Sequence, residues 1–177
     1  MSVSAKSIPT KINNYNVYNQ EDGNKLLAIG DEMPLPDFEQ ATETVSGAGI
    51  LGEFDDPTVG YFTNQEMEIP WRLMDRNSVG MLNSTKSAKL EIRGAGQWLN
   101  AEGDIEFGSV RVVVRGRASS MTTGKLKRGA SMDAGTKLSL TYILIELDGE
   151  EALVLDKLNP TFRVLGVDVL AAINEMC

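Results

Sequence analysis

Residues 86–156 read KSAKLEIRGAGQWLNAEGDIEFGSVRVVVRGRASSMTTGKLKRGASMDAGTKLSLTYILIELDGEEALVLD, and this stretch decides the fold. Valine, isoleucine, leucine, tyrosine and threonine fill its longer runs, and these residue types suit a half-buried pleated sheet. Polar or glycine-containing segments separate the runs. In the shortest of them, Asp148-Gly149, both residues tolerate the positive φ that a type I′ hairpin turn requires. The pattern predicts four consecutive antiparallel strands, of which the middle two are long.

Shorter elements are predicted on both sides of this meander. Further strands are expected at residues 11–18, 25–29, 38–46, 61–73 and 161–165. Short helices are expected at 75–82, where Asp75 or Asn77 is suited to the N-cap, and at 167–175, with Asp168 in its first turn. We therefore expect a single domain over residues 1–177. The fold class is mainly β: two packed antiparallel sheets forming a small barrel or sandwich, with one or two short flanking helices.

Two segments lack a predicted element. Residues 1–10 are small and polar and are interpreted as an N-terminal arm. Residues 46–60 read SGAGILGEFDDPTVG and are interpreted as a long loop that carries Ile50, Leu51 and Phe54 among acidic residues. Loops of this length are uncommon in compact domains and are usually functional or disordered. Exposed apolar side chains on such a loop favour a partner surface.

The composition excludes several classes of function. The chain has no histidine and one cysteine, Cys177, so the usual zinc sites, Ser-His-Asp catalysis and internal disulfides are excluded. A formal net charge of −8 argues against attraction to nucleic acid or to an anionic membrane. No apolar run approaches the length of a membrane span, and residues 1–6 give no secretory signal. No enzyme activity, metal or cofactor is predicted.

Two patterns resemble ligand sites, but the residues around them argue against ligand binding. Residues 47–52 match G-x-G-x-x-G, but the strand before them is polar on both faces, and an acidic cluster with Pro57 follows where a helix should open. Carboxylates also cluster in pairs, as at Asp55-Asp56. Adjacent acids in loops are mostly solvated surface, and no convergent acid pair for glycoside chemistry or calcium binding is indicated.

Basic residues mark two further segments. Arg111, Arg115 and Arg117 share one face of the long strand, and they are expected to find acidic partners in the same chain or across a subunit boundary. The loop between the two long strands contains Lys125, Lys127 and Arg128. It is either a solvated loop or a docking loop for an acidic neighbour.

The order of these motifs resembles a known family. LPDFE at 35–39 leads into an acidic strand and is followed by GAG at 47–49 and EIPWR at 68–72. VVRGR at 113–117, the long hairpin with its Asp-Gly turn, and GVD at 166–168 complete the pattern. From about residue 10 onward, the chain resembles the major tail tube protein of contractile phage tails and of phage-tail-like bacteriocins. The haemolysin-coregulated protein of type VI secretion is similar in fold.

The resemblance implies a structural protein without enzyme activity. Six copies would form a ring, with sheets joining edge to edge, and rings would stack into a hollow tube inside a contractile sheath. The tube would be a passive conduit, pushed through the target envelope when the sheath shortens. Its implied partners are further copies, the sheath protein, the tape measure and the baseplate initiator, and in a phage the DNA would pass through without specific binding. Assembly would occur in the bacterial cytoplasm, without stable membrane binding, and would yield a virion tail or a released tail-like particle.

Residues expected at subunit interfaces follow from the loop and the basic segments. They are Gly47, Gly49, Ile50, Leu51, Phe54, Asp55, Asp56, Arg111, Arg115, Arg117, Lys125, Lys127 and Arg128. The alternative function is a β-barrel module that binds a small ligand, which requires a deep apolar cavity inside one chain.

Overall fold

The computed structural model describes residues 7–177, and this part of the chain is mainly β, as predicted. Its strands form an eight-stranded and a two-stranded sheet, both antiparallel. The strands are β1 (Ile8–Asn19), β2 (Gln40–Ser46), β3 (Glu53–Phe62), β4 (Glu66–Trp71), β5 (Ala88–Leu99), β6 (Ile105–Thr122), β7 (Ala134–Leu147), β8 (Glu150–Asp156), β9 (Thr161–Val164) and β10 (Val167–Asp168). The helices are α1 (Arg76–Gly80) and α2 (Ala171–Met176).

The predicted meander is confirmed as β5 to β8. These strands are neighbours in the large sheet, whose order is β1-β5-β6-β7-β8-β9-β10, and β4 pairs with the first half of β7. The turn between β7 and β8 is the predicted Asp-Gly turn. Asp148 and Gly149 have φ of 52° and 84°, so both occupy the left-handed region that a type I′ turn requires.

The two long strands do not run straight. The pairing of β6 with β7 shifts register between Arg115 and Gly116 and again between Ala118 and Ser120. Such bulges bend a sheet and increase its twist. Gly116 allows the close approach there, because a Cβ at this position would collide with the backbone of Ser139. The described strands consequently form a sandwich-like arrangement and not a closed barrel.

One apolar core joins the two halves of the bent sheet. The alternating residues of β5, β6 and β7 supply one side of it, including Leu90, Val112 and Ile143. Strand β4 supplies Ile69 and Trp71, which are buried completely or nearly so. The indole Nε1 of Trp71 donates a hydrogen bond to Thr136 Oγ1 at 3.0 Å, so the polar atoms of this buried pair satisfy each other.

The outer edge of β1 is interrupted along its length. Its pairing with β5 shifts register between Pro9 and Lys11 and between Ile12 and Asn14. Pro9 has no backbone donor. Near the other end of the strand, the Leu26 amide donates to the carbonyl of Val17, so the chain that follows β1 covers part of this edge.

Residues 46–60, predicted to be one long loop, are instead the second half of a β-hairpin. Only residues 47–52 connect the strands, and β3 begins at Glu53 and pairs with β2 from Ser46↔Glu53 to Gln40↔Phe62. The prediction was wrong because Glu53, Asp55, Asp56 and Pro57 are poor strand formers. Pairing with β2 overrides their propensity. The predicted strand 61–73 is correspondingly divided between the end of β3 and β4.

The termini also differ from the prediction. Residues 1–6 of the predicted arm lie outside the described residues, and residues 8–10 belong to β1. The predicted helix 167–175 is shorter, because Leu165 and Gly166 have φ of 49° and 79° and turn the chain back along β9. Asp168 therefore lies in β10, not in a helical turn. Residues 25–29 form isolated bridges instead of a strand.

The short helix α1 is confirmed with its predicted cap. The carboxylate of Asp75 accepts a hydrogen bond from the Ser78 amide, and the Ser78 hydroxyl lies against the Asp75 backbone, which forms a capping box. Neither α1 nor α2 is long and apolar enough to cross a membrane, and the described residues hold no other helix.

Candidate subunit interface

The β2–β3 hairpin protrudes from the molecule. Its two strands pair only with each other among the described residues. Along residues 42–59, almost every side chain is exposed on both faces of the ribbon. A two-stranded ribbon is at best marginally stable in water when nothing covers it. The hairpin is therefore the part of the chain with the least internal support.

A small aromatic cluster holds the stem of the hairpin. Phe62 contacts Phe162 of β9 edge-on at 4.9 Å and Phe38 at 6.2 Å between ring centroids. Leu170 packs beside them and lies against Gly60, where a Cβ would collide with its side chain. Phe38 also packs against the main core, so it joins the two clusters. This second cluster fixes where the hairpin leaves the sheet.

Exposed apolar side chains extend from the tip of the hairpin to its stem. Leu51 at the tip is fully exposed, and Phe54 and Tyr61 are more than half exposed. Ile50 and Val59 are also exposed. Several large apolar side chains exposed on one protruding element favour a protein interaction site. The structure thus agrees with the sequence in exposing Ile50, Leu51 and Phe54, on a hairpin rather than on a loop.

The turn glycines and acids occupy the same hairpin. Gly47 and Gly49 lie in the connection, and Gly49 has a φ of 93°. Asp55 accepts a hydrogen bond from Thr44 Oγ1 at 2.7 Å across the two strands. Asp56 lies directly opposite Glu43. The seven residues between 47 and 56 that were predicted to lie at a subunit interface are therefore together on one protruding element.

The loop between β6 and β7 is a second exposed element. Lys125, Lys127 and Arg128 are exposed, and Leu126 among them is 88% exposed. The loop nevertheless has a defined backbone, because Lys125 donates to the carbonyl of Met132 and the Met132 amide donates to Arg72. Its basic side chains are thus presented from a fixed base.

Arg111 lies in an ion-pair network within the chain. It reaches Glu146 on β7, with Nη1 to Oε2 at 2.7 Å, and Glu91 on β5, with Nη2 to Oε2 at 3.1 Å. The pKa of Glu91 is lowered to about 2, first by the Arg111 hydrogen bond and then by Arg93, while burial acts in the opposite direction. The same carboxylates raise the pKa of Arg111. The network ties three adjacent strands together across the face opposite the core.

The other two arginines of β6 have freer positions. Arg115 stacks on the ring of Tyr142, with its guanidinium carbon 4.5 Å from the centroid. Arg117 is exposed farther along the strand. The sequence left open whether these arginines pair with acids of the same chain or of another subunit. Arg111 pairs inside the chain, whereas Arg115 and Arg117 are accessible to a neighbour.

Sequence reasoning missed the acidic partners of Arg111 and the apolar residues Val59 and Tyr61 of the hairpin. Glu91 and Glu146 flank Arg111 only because of the strand register, which no local pattern encodes. Val59 and Tyr61 do alternate with neighbours in sequence, and this alternation was the available signal for β3.

The alternative of a ligand-binding barrel needs an internal apolar cavity. An apolar groove with a volume of about 420 Å³ lies at the surface beside β1. Its walls include Ile12, Tyr15, Met33 and Ile92. It opens to solvent, in contrast to the enclosed interior that a barrel would provide.

The chain as a whole is similar to known proteins. The sequence matches the family model of phage tail tube protein FII over residues 9–176. The tail tube protein of Escherichia phage P2 is 26% identical over 167 residues, which cover 93% of this chain and 94% of that protein. A chain in the six-fold symmetrised baseplate of the anti-feeding prophage is 10% identical, with a TM-score of 0.43, over 83% of this chain and 95% of that one.

Proposed function

The chain belongs to the phage tail tube protein FII family, and we propose that its copies assemble as stacked six-membered rings that form the hollow inner tube of a contractile tail. This membership confirms the resemblance seen in the sequence. The observation that supports the stacking is the β2–β3 hairpin. It protrudes from the sheet, no other described strand pairs with it, and it exposes Leu51, Phe54 and Tyr61.

We expect another copy of the chain to cover the hairpin after assembly. Burying an exposed leucine or phenylalanine contributes about 1.5–3 kcal/mol. Leu51 is fully exposed and Phe54 about half exposed. Together they would supply roughly 2–4 kcal/mol to a contact between copies, which is about thirtyfold to a thousandfold in affinity. The aromatic cluster around Phe62 keeps the stem in place and so fixes where the hairpin leaves the sheet.

The sheet is suited to the wall of a rigid conduit. The Arg111 network links β5, β6 and β7 on one face, and the main core fills the other. In this role the chain performs no chemistry and moves passively when the sheath shortens. The tape measure, the sheath and the baseplate initiator would be its partners, and assembly would begin in the bacterial cytoplasm.

The acidic charge fits a passive lumen. Each chain carries a formal net charge of −8, and a ring of six multiplies this charge sixfold. A lumen lined with part of it would repel DNA phosphates, so DNA would pass without sticking. In a tail-like bacteriocin the same tube would carry no DNA.

Negative-stain electron microscopy of the purified, concentrated protein tests the proposal. The wild-type protein is expected to form hollow rings or tubes of uniform width. A variant with Leu51→Ser and Phe54→Ser should keep its circular dichroism spectrum and Tm, because these side chains contact little in the free chain, but it should not form tubes. A matched control is Val79→Ser with Leu82→Ser, which removes two exposed apolar side chains from the region of α1.

Two results would contradict the proposal. A wild-type protein that stays dispersed at every concentration, with and without the tail initiator, would remove the assembly role. Tubes formed equally well by the hairpin variant and the control would show that the hairpin is not the contact.

A further inference from the structure

Charge is distributed very unevenly along this chain. Residues 26–71 contain ten carboxylates and no lysine or arginine. The rest of the chain contains 15 carboxylates and all 17 basic residues, so it is close to neutral. The acidic segment includes the whole β2–β3 hairpin. The hairpin itself carries four of these carboxylates, Glu43, Glu53, Asp55 and Asp56, and no basic residue, so it is an acidic projection.

One face of the hairpin combines acids with apolar side chains. Glu43 and Val45 of β2 lie opposite Asp56 and Phe54 of β3, and alternation puts these four side chains on the same face. Glu43 and Asp56 are direct cross-strand partners, and like charges in that position destabilise a ribbon. No lysine or arginine in the described part of the chain forms an ion pair with either acid. The free hairpin thus bears an uncompensated repulsion.

The β6–β7 loop has the complementary properties. Leu126 is exposed between Lys125 and Lys127, and Arg128 follows. Lys125 contacts Asp133 of its own loop at 3.4 Å, whereas Lys127 and Arg128 have no ion-pair partner among residues 7–177. Two free cations beside an exposed leucine match two free anions beside an exposed phenylalanine and a half-buried valine.

The two surfaces are apart within one chain. The stem of the hairpin is tied to the middle of β7, where the Leu140 amide donates to Gln65. The basic loop enters β7 at Ala134, at the far end of the six-residue strand β4. At about 3.3 Å per residue, β4 separates the stem of the hairpin from the base of the loop by roughly 20 Å. No hydrogen bond or ion pair among the described residues joins the hairpin to the loop.

We propose that the acidic face of the hairpin, Glu43, Val45, Phe54 and Asp56, seats on the basic loop, residues 125–128, of another copy of this chain. This inference rests on the proposed assembly and adds which surfaces meet. Each copy offers one hairpin and one loop, so the contact is head-to-tail. A head-to-tail contact that does not close on itself continues indefinitely, and this is the geometry that stacking of rings requires. The contact also relieves the repulsion between Glu43 and Asp56.

Charge reversal in matched pairs tests this contact. The hairpin variant carries Glu43→Lys and Asp56→Lys, and the loop variant carries Lys127→Glu and Arg128→Glu. The first changes the formal net charge from −8 to −4 and the second changes it to −12, while the combined chain returns to −8. The hairpin variant keeps a like-charge pair across its strands, so its internal repulsion is conserved. The control is Glu102→Lys with Glu175→Lys, which also reaches −4 at exposed positions elsewhere.

The concentration at which tubes first appear is the measurement, by sedimentation and negative-stain microscopy at low salt. Each reversed variant alone should need at least roughly tenfold more protein than the wild type, because two acids facing two bases become like charges that repel. An equimolar mixture of the two variants should assemble, since each hairpin then finds a loop of opposite charge, and so should the combined chain. Raising the salt to about 0.5 M should reduce the differences.

The outcomes separate this inference from the one on which it rests. If the wild type assembles and both reversed variants assemble equally well, the pairing is wrong and the tube remains. If the mixture and the combined chain fail to recover assembly, or only one variant is impaired, the two surfaces do not meet, and the impaired one binds something else, such as nucleic acid for the loop. If the wild type never assembles, both proposals fail.

Discussion

Glu91 offers a direct test of how the sheet is held together. Its side chain is 8% exposed, and Arg111 donates to it while also binding Glu146. The network lowers the pKa of Glu91 from an ordinary 4.5 to about 2. Each unit of pKa shift corresponds to about 1.4 kcal/mol, so the shift contributes about 3 kcal/mol to folding stability at neutral pH. Glu91→Gln keeps the shape and one acceptor oxygen but removes the charge. We expect it to lower the free energy of unfolding by about 2–4 kcal/mol at pH 7.

The sign of the pH dependence follows from the direction of the shift. A carboxylate with a depressed folded-state pKa contributes its full stability above its unfolded value of about 4.5 and loses it as the pH falls towards about 2. The difference between the wild type and Glu91→Gln should therefore be constant from pH 7 to about 5 and should shrink steadily towards pH 3.

Urea unfolding followed by tryptophan fluorescence, at a concentration below assembly, measures this difference at each pH. Glu102→Gln serves as the control, because Glu102 is exposed in the β5–β6 turn. A Glu91 variant that loses the same free energy at pH 3 as at pH 7 would refute the electrostatic account. A loss below about 0.5 kcal/mol at pH 7, the range of ordinary surface substitutions, would refute the network itself.

Two further substitutions test the packing. Gly60→Ala should lower stability by about 1–3 kcal/mol in thermal unfolding, because Gly60 has a φ of 73° and a Cβ would collide with Leu170. Gly47→Ala, with open space around it and ordinary φ, is the control, and equal losses for the two would contradict this explanation. Trp71→Phe should cost about 2–4 kcal/mol in chemical unfolding, since it leaves the buried Thr136 hydroxyl without its donor. Adding Thr136→Val should recover about 1 kcal/mol, and a further loss would show that the hydroxyl has another use.

The meander was predictable because its signals are local. The two long strands, β6 and β7, contain enough β-branched and aromatic residues to be recognised alone. The turn between β7 and β8 depends only on Asp148 and Gly149. The capping box of α1 is equally local, since Asp75 and Ser78 are three residues apart. Where the physical cause lies within a few residues, the sequence is sufficient.

The errors arose where a partner decides the structure. Strand β3 contains Asp55, Asp56 and Pro57, and it exists because β2 pairs with it and because Phe62 anchors the stem. At the C-terminus, an apolar stripe predicted a helix from residue 167, but the turn at Leu165 and Gly166 adds β10 first. A leucine in the left-handed region is uncommon, so no propensity rule anticipates that turn.

The candidate interface was partly predictable for the same reason. The exposed apolar residues of the hairpin and the basic loop are segments of sequence, and they were identified as such. The partners of Arg111 lie 20 and 35 residues away, and only the register of β5 and β7 brings them to it. The direct opposition of Glu43 and Asp56 likewise depends on a register that is not readable from composition.

The interrupted outer edge of β1 has a consequence for the chain before it assembles. A long, regular, unpaired edge is a template on which other chains add, and it leads to fibrils. Pro9, two bulges and the covering residues near Leu26 deny such a template a continuous row of donors and acceptors. A single chain therefore offers an unrelated strand only short stretches of backbone to pair with along this edge.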